Sequence, residues 1–224
     1  MSPRLGSTIM NFQVVFDNWR FLLDGLKVTG EIAAAGMAGG MAVGLLGAIL
    51  RLGGGRVLGA IVKLYVDFFR TVPLVIQLIW VYFALPIFLN ASIPRFLAAA
   101  IAFSLYEGAF FTEIFRAGIL SLPRGQRYAG AALGMRKEQI YRRVILPQAF
   151  THMLPVIASQ LVFLLKDTSV VFVIQLGDLT YNSQTLGTQS LQPLPVLTAA
   201  LVIYVALTYP VTVIANTAHA RQRL

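Results

Sequence analysis

The chain has 224 residues, of which 57% are hydrophobic and only 12% are charged, and its mean hydropathy is +0.74. An ordinary soluble domain carries roughly 25% charged residues, so the composition indicates an integral membrane protein and excludes a large catalytic domain outside the membrane. The formal charge of +9 comes in short clusters between apolar runs, which is typical of membrane topology signals and not of a nucleic-acid-binding surface.

Apolar runs predict an all-α fold with five transmembrane helices, each long enough to cross a bilayer. The third run contains charged residues, but its first half is too hydrophobic to be left in water. The N-terminus lacks the basic segment followed by an apolar segment that is typical of a cleavable signal peptide. The first span is therefore expected to act as its own targeting signal. The predicted spans are residues 26–50, 57–85, 96–119, 150–176 and 196–218.

Glycine and proline predict how these spans pack. Gly36, Gly40 and Gly44 recur every four residues, so one face of the first span allows a neighbouring helix to approach closely. Three prolines inside spans each remove a backbone donor and are expected to bend their helices, although proline is common in membrane helices. They are Pro73, Pro155 and Pro210.

Basic residues collect on one side of the predicted bundle, which the positive-inside rule assigns to the cytoplasm. They are Arg51, Arg56, Arg124, Arg127, Arg136, Lys137, Arg142, Arg143, Arg221 and Arg223. The connection 177–195 on the other side has no basic residue. We therefore expect the N-terminus outside, the C-terminus in the cytoplasm, and residues 120–149 as the largest cytoplasmic loop.

This loop carries the most specific pattern in the chain. The small residues from Ala129 to Ala132 predict a short helix that lets another protein's backbone approach closely. Gly134 is expected to turn the chain into a second short helix at residues 136–143. The expected shape is a helix-turn-helix knob, and the alternative is an ordinary basic loop near the membrane.

The spacing in this loop resembles the EAA loop of permease subunits in bacterial ABC importers, where a glycine follows small residues and an Ile-x-Leu-Pro-like element closes the motif. Residues that match are Ala129, Gly130, Ala132, Leu133, Gly134, Leu146 and Pro147. Tyr128 departs from the pattern, since it occupies the position of the family's glutamate. The resemblance implies that these residues, with Tyr128, form the contact with an ATPase subunit.

The resemblance extends over most of the chain and narrows to permeases of polar amino acid importers, related to histidine, glutamine, arginine and glutamate/aspartate uptake. It is carried by residues 69–74, 108–118, 120–126, 145–150 and 165–170. It implies a single transmembrane domain over residues 1–224 in the bacterial inner membrane. It also implies a second permease subunit, identical or related, two cytoplasmic ATPase subunits that bind ATP and Mg, and an external binding protein that delivers the substrate.

The sequence motifs also indicate that the energy for transport comes from another subunit. The sequence has no Gly-x-x-x-x-Gly-Lys-Ser/Thr phosphate loop, no metal-ligand spacing of histidines and no cysteine. We therefore expect no enzyme activity, no cofactor and no bound metal in this chain. A free-standing secondary transporter or channel is the alternative, and the absence of a recognisable inverted repeat in a short chain argues against it.

Charged side chains inside spans indicate a substrate pathway, because burying one at the bilayer centre costs at least about 2.5 kcal/mol. Glu107 has no opposite charge within one helical turn, so we expect it to face another span or water. Lys166, Asp167, Thr168 and Ser169 can bind a zwitterion or form a structural network. These five residues are the candidate pathway, and a pairing of Glu107 with Lys166 stays open.

Two other charged groups are predicted to be structural. Lys63, Asp67 and Arg70 lie three to four residues apart on the second span and can neutralise one another along one helix face. Glu113 and Arg116 stand in the same relation at the inner end of the third span.

Overall fold

The computed structural model describes residues 11–221, and the described part of the chain contains helices and no strands. The helices are α1 (Gln13–Asp17), α2 (Trp19–Gly53), α3 (Gly55–Thr71), α4 (Leu74–Leu89), α5 (Arg95–Leu120), α6 (Arg124–Ala132), α7 (Lys137–Ile174), α8 (Leu179–Gln189) and α9 (Pro193–Arg221). Among these, α2, α5, α7 and α9 are each long and apolar enough to span a membrane, and α3 with α4 qualifies as a bent pair. The all-α prediction is confirmed.

The second predicted span is broken, not merely bent. The axes of α3 and α4 differ by 105°, because Val72 precedes Pro73 and adopts an extended conformation with ψ of 131°. The Nε2 atom of Gln77 donates to the carbonyl oxygens of Phe69 and Val72 at 2.9 and 2.8 Å. This side chain therefore satisfies backbone acceptors that the break leaves free inside the membrane.

The direction of α2 and α5 shows that the broken pair crosses the membrane. A Cβ added to each of three glycines of α2 would meet the Cβ of a successive residue of α5; the pairs are Gly36 with Phe103, Gly40 with Glu107, and Gly44 with Phe111. Both members of each pair advance together along the sequence, so the two helices run parallel. Parallel spans need one further crossing between them, and α3 with α4 provides it. With the bent pair counted as one crossing, residues 11–221 contain five candidate spans.

The same contact confirms that the glycine stripe accepts a neighbouring helix. A side chain at Gly40 would lie 2.5 Å from the Cβ atom of Glu107 and 3.2 Å from its carbonyl carbon. Phe103 and Phe111 of α5 are fully buried in this region. The backbones of α2 and α5 thus pack at a distance that only glycine permits.

The helix α7 is longer than predicted. The helix expected at 136–143 is present but is not separate, because one continuous helix runs from Lys137 to Ile174 and includes most of the predicted fourth span. A π-helical turn at Tyr141–Ile145 ends two residues before Pro147, and a second at Trp80–Ala84 ends two residues before Pro86. Opening the turn in this way accommodates a proline that would clash with regular α-helical geometry.

The helix α8 lies within the connection 177–195, which was predicted to be a loop. It is short and polar, so hydropathy gave no signal for it. Asp178 caps it by accepting hydrogen bonds from the backbone N–H groups of Thr180 and Tyr181 at 3.0 and 2.9 Å. Burial raises the pKa of the Asp178 carboxyl above its ordinary value, and these hydrogen bonds partly offset that increase.

The helix α9 begins at Pro193, three residues before the predicted start, and continues through Pro210. In the same way α7 continues through Pro155. Arg223, which contributed to the predicted cytoplasmic C-terminus, lies outside the described residues, as do residues 1–10.

Candidate functional site

Glu107 lies at the centre of the bundle and has no solvent exposure. Its Oε2 atom accepts a hydrogen bond of 2.9 Å from the Nε2 atom of Gln160 on α7. Its Oε1 atom has no hydrogen-bond partner among the described residues. The expectation of a partner from another span is met by Gln160, whereas the alternative of direct pairing with Lys166 is not found within residues 11–221. Sequence analysis missed Gln160, whose one signal was an amide inside an apolar run.

The four other candidate pathway residues lie where α7 changes its geometry. Lys166 is exposed, Asp167 and Ser169 are partly buried, and Thr168 is fully buried. The Oγ1 atom of Thr168 donates to the carbonyl of Leu165 at 2.8 Å, so this hydroxyl is bonded to its own backbone. A 3₁₀ segment, Thr168–Ile174, starts at the same residue.

Charged and aromatic side chains from three helices lie near one another: Arg70, Tyr106, Phe110 and Asp167. We call these four residues, with Lys166 beside Asp167, the pathway face. The Arg70 guanidinium lies 5.1 Å from the ring centre of Phe110, within cation–π range. The rings of Tyr106 and Phe110 are 5.0 Å apart. Arg70 and Asp167 both lie within electrostatic range of the Tyr106 hydroxyl.

The pathway face combines the groups that a zwitterion requires. Arg70 and Lys166 can attract a carboxylate, while Asp167 and the buried Glu107 can attract an ammonium group. Arg70 and Lys166 are exposed on the isolated chain. A cation within the hydrocarbon of a bilayer is costly when it faces lipid, so contact with water or with another protein surface is favoured.

A second ionic group ties the C-terminal parts of α2 and α5 together. Glu113 forms ion pairs with Arg116, at 2.7 Å, and with Arg51 of α2. The predicted pairing of Glu113 with Arg116 is thus confirmed and extended by a residue from another helix. All three side chains are at most about one third exposed, so the pairs are screened less than surface pairs.

The predicted mutual neutralisation of Lys63, Asp67 and Arg70 is wrong. All three side chains are exposed, and no ion pair joins them in the part of the chain that the structure describes. Arg70 instead lies over Phe110, and Asp67 lies within electrostatic range of Arg51. Contacts from neighbouring helices have replaced the pairing that spacing along one helix suggested.

The segment at residues 120–149, which was predicted to be cytoplasmic, has the predicted short helix and glycine turn. Gly134 adopts a φ of +73°, which favours glycine. The N–H of Met135 bonds to the carbonyl of Gly130 and the N–H of Gly134 to that of Ala131, both at 3.0 Å, which forms a Schellman motif at the end of α6. Gly130 faces inward, where an added Cβ would lie 2.9 Å from Ile140.

The outward side of this segment presents the other residues predicted to contact an ATPase. Tyr128 and Leu133 are 70% and 81% exposed. The remaining exposed members of the predicted contact set are Ala129, Ala132, Gly134, Leu146 and Pro147. A hydrogen bond of 2.8 Å between Gln126 and Gln148 ties α6 to α7, so the outward surface is held rigidly.

The described residues contain no group of three or more His, Cys, Asp or Glu side chains that could hold a metal ion.

The sequence pattern of the family described as "Binding-protein-dependent transport system inner membrane component" matches residues 40–223. The chain belongs to this family. Its members are membrane permease components without an ATPase site, so the predicted transport role and inner membrane location are confirmed. The alternative of a free-standing transporter does not fit this family.

Curated relatives cover most of the chain. The glutamate/aspartate import permease protein GltK of Escherichia coli O6:H1 is 39% identical over 174 residues, which are 75% of this chain and 78% of the relative. The glutamine transport system permease protein GlnP of Escherichia coli K12 is 34% identical over 91% of this chain and 93% of its own length. The arginine transport system permease protein ArtQ of Bacillus subtilis is 34% identical, over 88% and 90% respectively.

A solved structure shares the fold over nearly the whole chain. The crystal structure of an amino acid ABC transporter with histidines superposes with a TM-score of 0.88 at 25% identity, and the match covers 96% of this chain and 99% of that one. A chain of the MetNI methionine ABC transporter, at 23% identity, has a TM-score of 0.71 and supports the fold alone.

Proposed function

We propose that the chain is the permease subunit of an ATP-driven importer for a polar amino acid, which an external binding protein delivers. The pathway face supports this proposal, because it combines two cations, an acid and two aromatic rings, and the buried Glu107 lies within electrostatic range of Tyr106. The printed names of the curated relatives, which specify glutamate/aspartate, glutamine and arginine, support the substrate class. Glu107, Lys166, Asp167, Thr168 and Ser169 are the proposed pathway residues.

A second permease subunit is proposed to cover the pathway face. Exposed Arg70 and Lys166 side chains are stable at membrane depth when another subunit encloses them with water and substrate. Either a second copy of this chain or a related permease fulfils this requirement. The substrate would then move between the two subunits.

Energy is proposed to reach the pathway through the cytoplasmic segment at residues 120–149 of a single transmembrane domain. The outward surface from Tyr128 to Gly134, with Leu146 and Pro147, would lie in a groove of an ATPase subunit, of which two bind ATP and Mg. The exposure of Tyr128 and Leu133 supports a protein contact here. In this proposal the N-terminus lies outside and the C-terminus lies in the cytoplasm, as the basic residues predict.

Replacing Gly134 by alanine tests this assignment, with Gly125→Ala as the matched control. An added Cβ meets no atom within 4 Å at either glycine, but only Gly134 has a positive φ. Gly134→Ala should therefore strain the turn by about 1–2 kcal/mol and reduce co-purification with the ATPase and uptake into vesicles. Gly125→Ala should retain both. Normal assembly and uptake by Gly134→Ala would contradict the coupling role of this turn.

The substrate class is tested separately, with the assembled complex in vesicles that contain ATP. Uptake of acidic, neutral polar and basic amino acids is measured with the purified binding protein outside. We expect saturable, ATP-dependent uptake of at least one of these classes. ATP-independent accumulation would contradict the proposed function.

A further inference from the structure

Three arginines at the start of α7 line a cavity that the proposed function does not use. Its volume is about 460 Å³, which is within the size range of ligand sites. The lining residues are Arg136, Glu138, Gln139, Arg142 and Arg143. The Gln139 side chain accepts a hydrogen bond of 2.9 Å from the backbone N–H of Arg136, which ties the chain to the first turn of α7. None of the five residues belongs to the pathway face or to the proposed ATPase contact.

The three arginines have no acidic partner on this chain. All of their side chains are exposed, and no ion pair joins any of them to an acid within residues 11–221. Glu138 contributes the single negative charge of the lining, so three cations and one anion leave an excess of two positive charges. A guanidinium group binds phosphate oxygens through two parallel hydrogen bonds. The cavity therefore favours an anionic ligand that carries a phosphate group.

The cavity lies where the apolar part of α7 begins. Residues 144–165 of this candidate span contain no Lys, Arg, Asp or Glu, and Arg143 immediately precedes them. Phe150 and Leu154 follow Arg143 by seven and eleven residues, so they lie on the same side of α7, about two and three turns further along. Their side chains are 52% and 43% exposed. One side of the helix thus presents a cation for a phosphate and then an apolar surface for an acyl chain.

We propose that this cavity binds the phosphate of an anionic phospholipid, whose acyl chain lies along Phe150 and Leu154. A soluble phosphate compound would leave the exposed apolar side chains without a partner. A zwitterionic lipid would bring its own cation to a site that already has an excess of positive charge. The basic residues predict that this segment is cytoplasmic, and anionic lipids give the cytoplasmic leaflet its negative surface potential. Bound lipid would anchor the start of α7 beside the turn at Gly134.

Lipid binding is measured on the full-length chain, purified in an uncharged detergent. The cavity variant combines Arg142→Gln with Arg143→Gln and so removes two positive charges from the lining. The matched control combines Arg124→Gln with Lys137→Gln. It removes the same charge from two exposed residues of the same segment that do not line the cavity.

Three probes separate the headgroup from the acyl chains: dioctanoyl-phosphatidylglycerol, dioctanoyl-phosphatidylcholine and glycerol 3-phosphate. Phosphatidylglycerol should bind most tightly, because among the three it alone combines a net negative charge with apolar chains. The cavity variant should bind it about five- to 25-fold more weakly, since each basic residue near anionic lipid contributes about fivefold. The control variant should bind it as the parent chain does.

Equal binding of phosphatidylglycerol by the cavity variant and the parent chain would overturn the site. An equal loss in the control variant would show a general effect of surface charge and would also overturn it. If glycerol 3-phosphate binds as tightly as phosphatidylglycerol, the cavity is a site for soluble phosphate compounds and the lipid assignment is wrong.

Co-purification with the ATPase separates a lipid site from a protein contact. The cavity variant should retain this co-purification. A loss in the cavity variant, with normal co-purification in the control variant, would assign the arginines to the ATPase contact and contradict the lipid site. The binding measurements require neither an amino acid nor ATP, so their failure would leave the proposed function intact.

Discussion

At the residue scale, the hydrogen bonding of Glu107 indicates how this side chain could bind a substrate. The carboxylate is fully buried, and Gln160 supplies a hydrogen bond to one of its two oxygens. The second oxygen has no hydrogen-bond partner among the described residues. A buried polar atom without a partner is costly, so a donor that arrives with the substrate would relieve this cost. The ammonium group common to all amino acids is such a donor.

Glu107→Gln should preserve the fold and impair transport. An amide retains the size of the side chain and can still bond to Gln160, but the charge that attracts an ammonium group is lost. Uptake should fall by about tenfold or more, since a hydrogen bond to a charged group is worth roughly 1.5–3 kcal/mol. Purified yield and uptake against substrate concentration provide the measurements.

The control for this change is Glu138→Gln, which makes the same substitution at an exposed position near the start of α7. It should leave yield and uptake unchanged. A loss of yield in Glu107→Gln, with uptake per molecule unaffected, would assign Glu107 a structural role and contradict the pathway role.

Sequence reasoning found Glu107 because an unpaired acid in an apolar run stands out. It could not find Gln160 as the partner, because the partner depends on how α5 and α7 are rotated about their axes. The same limit explains the wrong pairing of Lys63, Asp67 and Arg70. Periodicity gives the face of a helix, whereas the neighbour of that face is a property of the packed bundle.

At the scale of elements, the closest packing is between α2 and α5, and Gly40→Ala tests it. The added methyl would lie 2.5 Å from the Cβ atom of Glu107 and 3.2 Å from its carbonyl carbon, so two helix backbones would have to separate. Overpacking of this kind costs about 1–3 kcal/mol. We expect a lower melting temperature and a lower yield in detergent.

The matched control is Gly30→Ala in the same helix, where an added Cβ meets no atom within 4 Å. This variant should be neutral, or more stable by up to about 1 kcal/mol, because alanine favours helix. Equal stability of Gly40→Ala and Gly30→Ala would mean that the glycine stripe does not set the distance between these helices.

The errors in predicting α7 and α8 have physical reasons. Hydropathy finds long apolar helices, and it located four spans to within several residues at most of their ends. It gave no signal for α8, whose side chains are polar. It also predicted two separate helices at 136–143 and 150–176, whereas a π-helical turn before Pro147 lets one helix run through both segments.

At the scale of the whole molecule, the parallel packing of α2 and α5 requires an odd number of crossings between the end of α2 and the start of α5. The helix α8, which hydrogen bonds tie to the N-terminal half of α2, and the segment at residues 120–149 then lie on opposite sides of the membrane. The contacts determine this relation, but the distribution of basic residues is what predicts which side is the cytoplasm.

Two single-cysteine variants test this orientation in the naturally cysteine-free chain. Thr188→Cys in α8 and Lys137→Cys at the start of α7 both replace exposed residues. An impermeant thiol reagent should label Thr188→Cys in intact spheroplasts, and Lys137→Cys only after permeabilisation. The reverse pattern would show that the chain is inserted with the opposite orientation.

The parallel contact between α2 and α5 also has a consequence for biosynthesis. The ribosome must complete α3 and α4 before it reaches the partner of the glycine stripe, and synthesis proceeds at roughly 5–20 residues per second. For several seconds, therefore, the groove along Gly36, Gly40 and Gly44 faces lipid or the insertion machinery. During that interval, the nascent chain exposes a surface suited to any close-packing helix, so timely emergence of α5 protects it from capture by the wrong neighbour.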